Sequence, residues 1–280
     1  MVDDSVLQTV SERVAQVRDR IEAAAARAGR AASEVTLVGV SKRQPLERIA
    51  AAVRAGVTTL GENYVQEAEQ KQSELAAMLA ASGSATPAPA AGPAPRHTLP
   101  LPDLDSDSGP WPGPAPGPGR GRGPDWVFVG RLQRNKARRA AELFGCIESV
   151  DRPELARALA RAGSELGNPV EVLLQVNLSG EPQKGGAAIE TVPALLEACA
   201  ALDGIRVRGL MTVPVASDDA EAVRPTFARL RALRDTLRRE PGGDSLDELS
   251  MGMSDDFEVA IEEGATRVRI GTALFGPREG

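Results

Sequence analysis

Val6, Val10, Val14, Val17 and Ile21 recur at the three- and four-residue spacing of one helix face, and Gly29 follows as a stop. The periodicity predicts an amphipathic helix over 4–27. The pattern then changes period. Residues 35–41 make a short apolar run suited to a strand buried on both faces, and 46–55, closed by Gly56, returns to helical spacing. The alternation repeats to the end of the chain. Further strands are predicted over 58–61, 126–130, 146–150, 170–176, 207–210, 246–249 and 268–270. Helical stretches separate them: one from Glu62 to about Ala80, one ending at Phe144, and others over 153–166, 189–202, 220–239 and 255–263. Pro153 at the start of its helix and Gly167 at the end are the expected punctuation.

Eight strands alternating with helices fit a closed (β/α)8 barrel, a TIM barrel with an extra N-terminal helix, as a single domain. A doubly wound open sheet is the other arrangement the pattern permits, because periodicity cannot show closure. One segment breaks the pattern. From 82 to 124 the chain is dominated by Pro, Gly, Ala and Ser with no apolar periodicity, and it reads as a disordered insertion. Its Gly119–Gly123 run lacks the preceding strand and following helix of a dinucleotide loop, leaving at most a weak RNA or partner contact for Arg120 and Arg122.

Composition narrows the chemistry. With 42% hydrophobic and 26% charged residues the 280-residue chain is an ordinary globular protein, and its formal charge of -6 argues against general nucleic-acid affinity. The acidic start, Met1 to Ser5, is unlike a signal peptide, and no apolar run is long enough to cross a bilayer. A cytoplasmic monomer without membrane contact is expected. The single histidine, His97, lies in the proline-rich segment, so a Ser-His-Asp triad, a Cys-His pair or a histidine-rich zinc site has almost no material. Cys146 and Cys199 lie far apart in apolar stretches and read as free buried thiols. Asp255 and Asp256 are neighbours that would not face the same way on a helix, so no metal site is expected. The basic run over 131–139 reads as the solvated side of a helix start.

In a barrel, working residues gather just after the strands, on the C-terminal face. Lys42, Asn63, Gln133, Lys184, Met211, Met253, Ser254, Gly271 and Thr272 all fall at such positions. The ends of the last two strands, with Ser254, Gly271 and Thr272, suit a phosphate held by backbone N–H groups and hydroxyls. Ser254 reads equally as a helix N-cap followed by Asp255 and Asp256. Lys42 taken alone reads as a surface lysine past a strand. Beside a phosphate site it becomes a candidate for Schiff-base chemistry, since desolvation and positive neighbours ease loss of its proton. Pyridoxal 5'-phosphate (PLP) carries an aldehyde and a phosphate on one small ring and would span both features, with Arg269 below the ring and able to donate to the pyridine nitrogen.

Seven runs then carry a resemblance. Val40-Ser41-Lys42, Gly61 to Glu67, Leu132 to Lys136, Gln175-Val176-Asn177, Arg208 to Met211, Leu249 to Asp256 and Val268 to Thr272 closely resemble, in order, the pyridoxal phosphate homeostasis proteins. The likeness spans the chain outside 82–124. It implies a barrel similar to the N-terminal domain of alanine racemase, with PLP as a covalent aldimine on Lys42. Asn63, Met253, Ser254, Arg269, Gly271 and Thr272 would line the cofactor, and Lys184 matches a second lysine proposed for PLP handling. The family usually has Trp-His-Phe where this chain reads Trp126-Val127-Phe128. The implied role is intracellular PLP homeostasis and delivery, possible recipients being PLP-dependent apo-enzymes, without established turnover.

Two features point toward a carrier. The chain stops soon after strand eight, where a racemase would continue into a domain supplying a second base. An arginine at the pyridine nitrogen leaves it largely unprotonated and weakens the ring as an electron sink. The alternatives are a low-activity PLP-dependent racemase or lyase, and a phosphosugar enzyme using Lys42 as an aldolase-type amine.

Overall fold

In the computed structural model, which describes residues 3–81, 123–181, 184–215 and 217–277, every strand of the main sheet runs parallel to its neighbours. β1 (Thr36–Val40) pairs with β2 (Thr59–Glu62), β2 with β3 (Asp125–Phe128), β3 with β4 (Cys146–Val150), and β4 with β5 (Val170–Asn177). Past the two-residue β6 (Ala187–Ala188), which sits on the end of β5, β5 also pairs with β7 (Ile205–Met211). β8 (Glu248–Ser250) and β9 (Arg267–Ile270) complete the ring, β9 pairing back onto β1 through Val38 and Arg269. The pairing of β4 with β5 and of β9 with β1 closes eight strands into a barrel, which excludes the open doubly wound sheet.

Helices surround this ring: α1 (Asp4–Arg27), α2 (Leu46–Arg54), α3 (Val65–Ala81), α4 (Ala137–Leu143), α5 (Pro153–Leu166), α6 (Val192–Ala200), α7 (Arg224–Leu237), α8 (Phe257–Glu262) and α9 (Thr272–Phe275). α1 shows why its sequence is helical. The Asp3 carboxylate caps it by accepting the Ser5 N–H at 2.8 Å, and Val10, Val14, Val17 and Ile21 form a buried stripe. That stripe packs on α2, α8 and α9, with Arg20 stacked 4.5 Å over the Phe257 ring. At the end of α5, Gly167 takes the left-handed conformation, φ 67°, that ends a helix without steric cost.

Several boundaries differ from the sequence pattern. Glu62 belongs to β2 rather than to the helix after it. The strand expected over 246–249 is Glu248–Ser250, because Leu246 packs into the core from the preceding turn. The helices expected from 189 and 220 open as single 3-10 turns, and α6 and α7 begin only at Val192 and Arg224, each with a proline in its first turn. α8 starts at Phe257, two residues later than expected. The insertion read as disordered lies, from 82 to 122, outside the described residues. Among the described residues no helix is long and apolar enough to cross a membrane.

Two layers of side chains fill the structure. The larger apolar core lies between strands and helices, while Val38, Val127, Cys146, Leu173 and Met211 form a separate cluster of inward positions. Val127, where the resembled family has histidine, is thus part of the apolar filling of the barrel. Both cysteines are free and buried, and burial pushes the Cys199 thiol up to about 11.

Polar side chains occupy other inward positions. Arg267 Nε donates to Glu248 Oε2 at 3.0 Å and its Nη1 to Glu148 Oε1 at 3.4 Å. Burial works to raise the Glu248 carboxyl, but the Arg267 guanidinium and the Thr266 hydroxyl outweigh it and hold the group below its ordinary value. A carboxylate depressed in the folded state stabilises the fold above its unfolded pKa, and that contribution is lost as pH falls through the folded value. The thermal midpoint should therefore drop on acidification from pH 5 to 3, and Glu248→Gln should flatten that dependence. An unchanged slope in the variant would remove Glu248 from the acid response.

Candidate functional site

The strands all end on one face, so the residues that follow them share one mouth. Lys42 lies in the turn immediately after β1, between buried Ser41 and exposed Arg43. On the other side of β1, Gly271 follows β9. A Cβ built on Gly271 would come no nearer than 3.6 Å to the Val40 carbonyl, so the two strand ends adjoin with room between them. Thr272 opens the short helix α9 and is exposed.

The loop after β8 is joined to this point. Ser254 Oγ accepts the Ala273 N–H at 3.3 Å, tying the β8 loop to the start of α9. This hydroxyl does not cap α8, whose start is organised differently: the Asp256 carboxylate accepts the Met253 N–H at 2.6 Å. Burial pushes the Asp256 carboxyl above its ordinary value. Its commitment to the Met253 amide also accounts for one carboxylate of the Asp255–Asp256 pair.

Arg269 lies below the mouth, 5% exposed, and is held from two directions. Its Nη1 donates to Ser250 Oγ at 2.6 Å and its Nη2 to the Thr212 carbonyl at 2.7 Å. Ser250 Oγ in turn donates to Glu148 Oε2 at 2.6 Å, so a hydrogen-bonded line runs from Arg269 down to the interior carboxylates. With five N–H donors on a guanidinium and two engaged here, Arg269 keeps capacity for a further acceptor on the remaining three.

Asn63 follows β2, where Gly130 lets the β3 end approach closely: a Cβ on Gly130 would stand 2.2 Å from the Asn63 carbonyl. The Asn63 Oδ1 is buried without a hydrogen-bond partner among the described residues. Lys184 sits apart from this group in its contacts. Its Nζ donates to the Pro214 carbonyl at 2.6 Å and pairs with Glu181 at 3.1 Å, over the ends of β5 and β7. The basic run is largely spent on helix surfaces, Arg138 pairing with Glu142 and Glu165, and Arg139 with Glu69 and Glu142.

These contacts bring Gly271, Thr272 and Ser254 beside the end of β1 that carries Lys42, and place Arg269 under the β8 loop. Glu62, Lys71, Glu148 and Ser250 support this region and are absent from the sequence-derived site. Their signal was ambiguous: a Glu67–Lys71 pair at helical spacing usually marks a solvated face, and an acid inside an apolar strand does not reveal its partner.

An amine, a buried guanidinium and a loop pair carrying hydroxyls fit a small anion with an electrophilic group, while the Asn63 amide oxygen can accept from a donor on the same molecule. That donor set suits PLP. The sequence profile described as alanine racemase, N-terminal domain, matches residues 13–279. The pyridoxal phosphate homeostasis protein of Pseudomonas aeruginosa is 41% identical over 273 residues, covering 98% of this chain and 97% of that protein. Its namesake in Aquifex aeolicus is 38% identical over 268 residues, covering 96% and 98%. PipY of Synechococcus elongatus PCC7942, solved with PLP bound, has a similar structure: TM-score 0.70, 33% identity, covering 95% of this chain and 100% of that one.

Proposed function

Because the chain belongs to the pyridoxal phosphate homeostasis protein family, we propose that it binds PLP as an aldimine on Lys42 and serves its intracellular storage and delivery, with PLP-dependent apo-enzymes as recipients. The observation that carries this reading is the adjacency of the β1 end, with Lys42, to the Gly271–Ser254 loop pair. Lys42 supplies the amine. Ser254, Gly271 and Thr272 supply hydroxyls and backbone N–H groups for the phosphate, and Asn63 and Met253 border the ring. Lys184, with its separate contacts, is a secondary handling residue at most on this reading.

When bound, PLP supplies an electrophilic aldehyde and a ring able to accept electrons. Arg269 restrains the second of these. A guanidinium keeps its proton and donates to a pyridine nitrogen rather than protonating it, so the ring stays a weak electron sink. Tyr64, the only tyrosine, is half exposed, which gives no support to a buried base. Storage is therefore favoured over turnover.

The test is spectroscopic. Protein mixed with PLP should develop a visible imine band, and borohydride should fix the label on the peptide containing Lys42. Incubation with L-alanine and other amino acids should perturb the band without accumulating D-isomer or keto acid. Sustained turnover that depends on Lys42 would overturn the carrier reading, and no imine band at all would overturn the aldimine on Lys42 and favour a phosphosugar ligand.

A further inference from the structure

The turn that carries Lys42 is fastened from outside the barrel on both of its flanks. On the N-terminal flank, Ser41 Oγ donates to Glu62 Oε1 at 2.7 Å. On the C-terminal flank, Arg43 is the one non-glycine residue with positive φ, 54°, among those described. That left-handed conformation is unfavourable for a residue with a Cβ and persists only where surrounding contacts hold it. Here the Arg43 N–H donates to Glu67 Oε1 at 2.6 Å. Both carboxylates converge on one ammonium. Lys71 Nζ lies 2.8 Å from Glu62 Oε1 and 2.7 Å from Glu67 Oε1, and it also donates to the Ser41 carbonyl at 2.5 Å.

This cluster is buried where it matters, Glu62 fully and Lys71 to all but 11% of its side chain. An ion pair serving only to fill the gap between α3 and the strands would satisfy its charges among side chains. Instead, the cluster bonds residues 41 and 43, including the Ser41 carbonyl and the Arg43 N–H, on either side of the reactive lysine. Burial pushes the Glu62 carboxyl up against the pull of Lys71, whereas Lys71 and the Arg43 N–H overcome burial to hold the Glu67 carboxyl below its ordinary value.

We propose that Glu62, Glu67 and Lys71 are positioning residues that hold the 41–43 turn with Arg43 in its left-handed conformation, and that this hold sets how long captured PLP is retained. The inference rests on the reading that Lys42 carries the cofactor. Release adds one water across the carbon–nitrogen double bond, returning the aldehyde C=O and the free Lys42 amine with no change of oxidation state. A fixed turn keeps that amine beside the aldehyde, so recapture competes with escape. A loosened turn lets the amine swing away.

Two variants probe the hold without leaving an unpaired buried charge. Glu67→Ala frees the Arg43 N–H and keeps the Glu62–Lys71 pair, and the double variant Glu62→Gln/Lys71→Met removes both buried charges together. PLP-loaded protein is diluted into excess phosphatase, which consumes the free ligand, and decay of the imine band is followed. Decay should quicken by roughly tenfold in both variants, the shift that release of one strained left-handed residue allows. The starting band and the labelling of Lys42 by borohydride should be unchanged. Arg43→Asn placed on Glu67→Ala should restore slow decay, since asparagine tolerates the left-handed region. Wild-type decay rates in Glu67→Ala, with an unchanged thermal midpoint, would overturn this inference alone. A wild-type protein that forms no band would overturn the Lys42 reading and this one with it.

Discussion

Lys42→Ala protein titrated with PLP should show only the spectrum of the free aldehyde, and its apparent dissociation constant should rise by at least about a hundredfold, close to 2.7 kcal/mol. The remaining groups are still in place in that variant. Arg269 stays pinned by Ser250 and Thr212, and the Ser254 link to α9 does not involve the lysine. Weak binding should therefore survive, competed by inorganic phosphate, because the anion contacts are independent of the amine. Lys42→Arg should behave like the alanine variant, since a guanidinium keeps its proton and cannot act as the nucleophile. Lys184→Ala, by contrast, should keep the imine band, its amine being engaged with Glu181 and Pro214. Retention of the band by Lys42→Ala and its loss from Lys184→Ala would reverse the assignment.

The second large effect is structural. Glu148 is fully buried and accepts from Arg267 and from Ser250, the hydroxyl that also receives Arg269. Glu148→Ala removes the acceptor that links Arg267 to Arg269 through Ser250 and takes a negative charge from beside them. Breaking one partner out of a buried charge network typically costs about 3–5 kcal/mol, which for a domain of this size lowers the thermal midpoint by about 10 °C. Glu248 still pairs with Arg267, so the protein should fold at room temperature. Glu148→Gln keeps an acceptor and should cost less. A midpoint for Glu148→Ala within about 2 °C of wild type would show the network to be energetically idle.

Much of this architecture was readable because strands such as β1 and β5 are apolar runs and helices such as α1 and α5 carry one buried stripe. Closure was not readable. The runs of β4 and β5 look alike whether they pair or form edges, and only their pairing separates a ring from an open sheet. Most of the candidate site residues stood out because they follow strand ends, Arg269 within β9 being the exception, whereas their supports did not. Glu62 sits in a polar stretch, Glu62 to Glu67, that reads as a helix start, yet it extends β2 because its carboxylate finds Lys71 nine positions later. The interior line from Arg269 to Glu148 joins residues from β9, β8 and β4, three elements whose adjacency no local pattern encodes. Ser254 illustrates the opposite error. Its local context fits a helix cap, but a nonlocal amide, that of Ala273, claims the hydroxyl.

The position of β9 between β1 and β8 also governs how the protein comes into being. Contacts such as that between Arg20 and Glu258 span 238 residues of chain, so ring closure waits for β8 and β9 to leave the ribosome. Lys42 is synthesised well before the loops around Ser254 and Gly271 that would hold a phosphate beside it. A nascent or truncated chain thus exposes the amine without the pocket and binds the aldehyde no better than any other lysine does. On the proposed reading, sequestration becomes available only once the ring has closed.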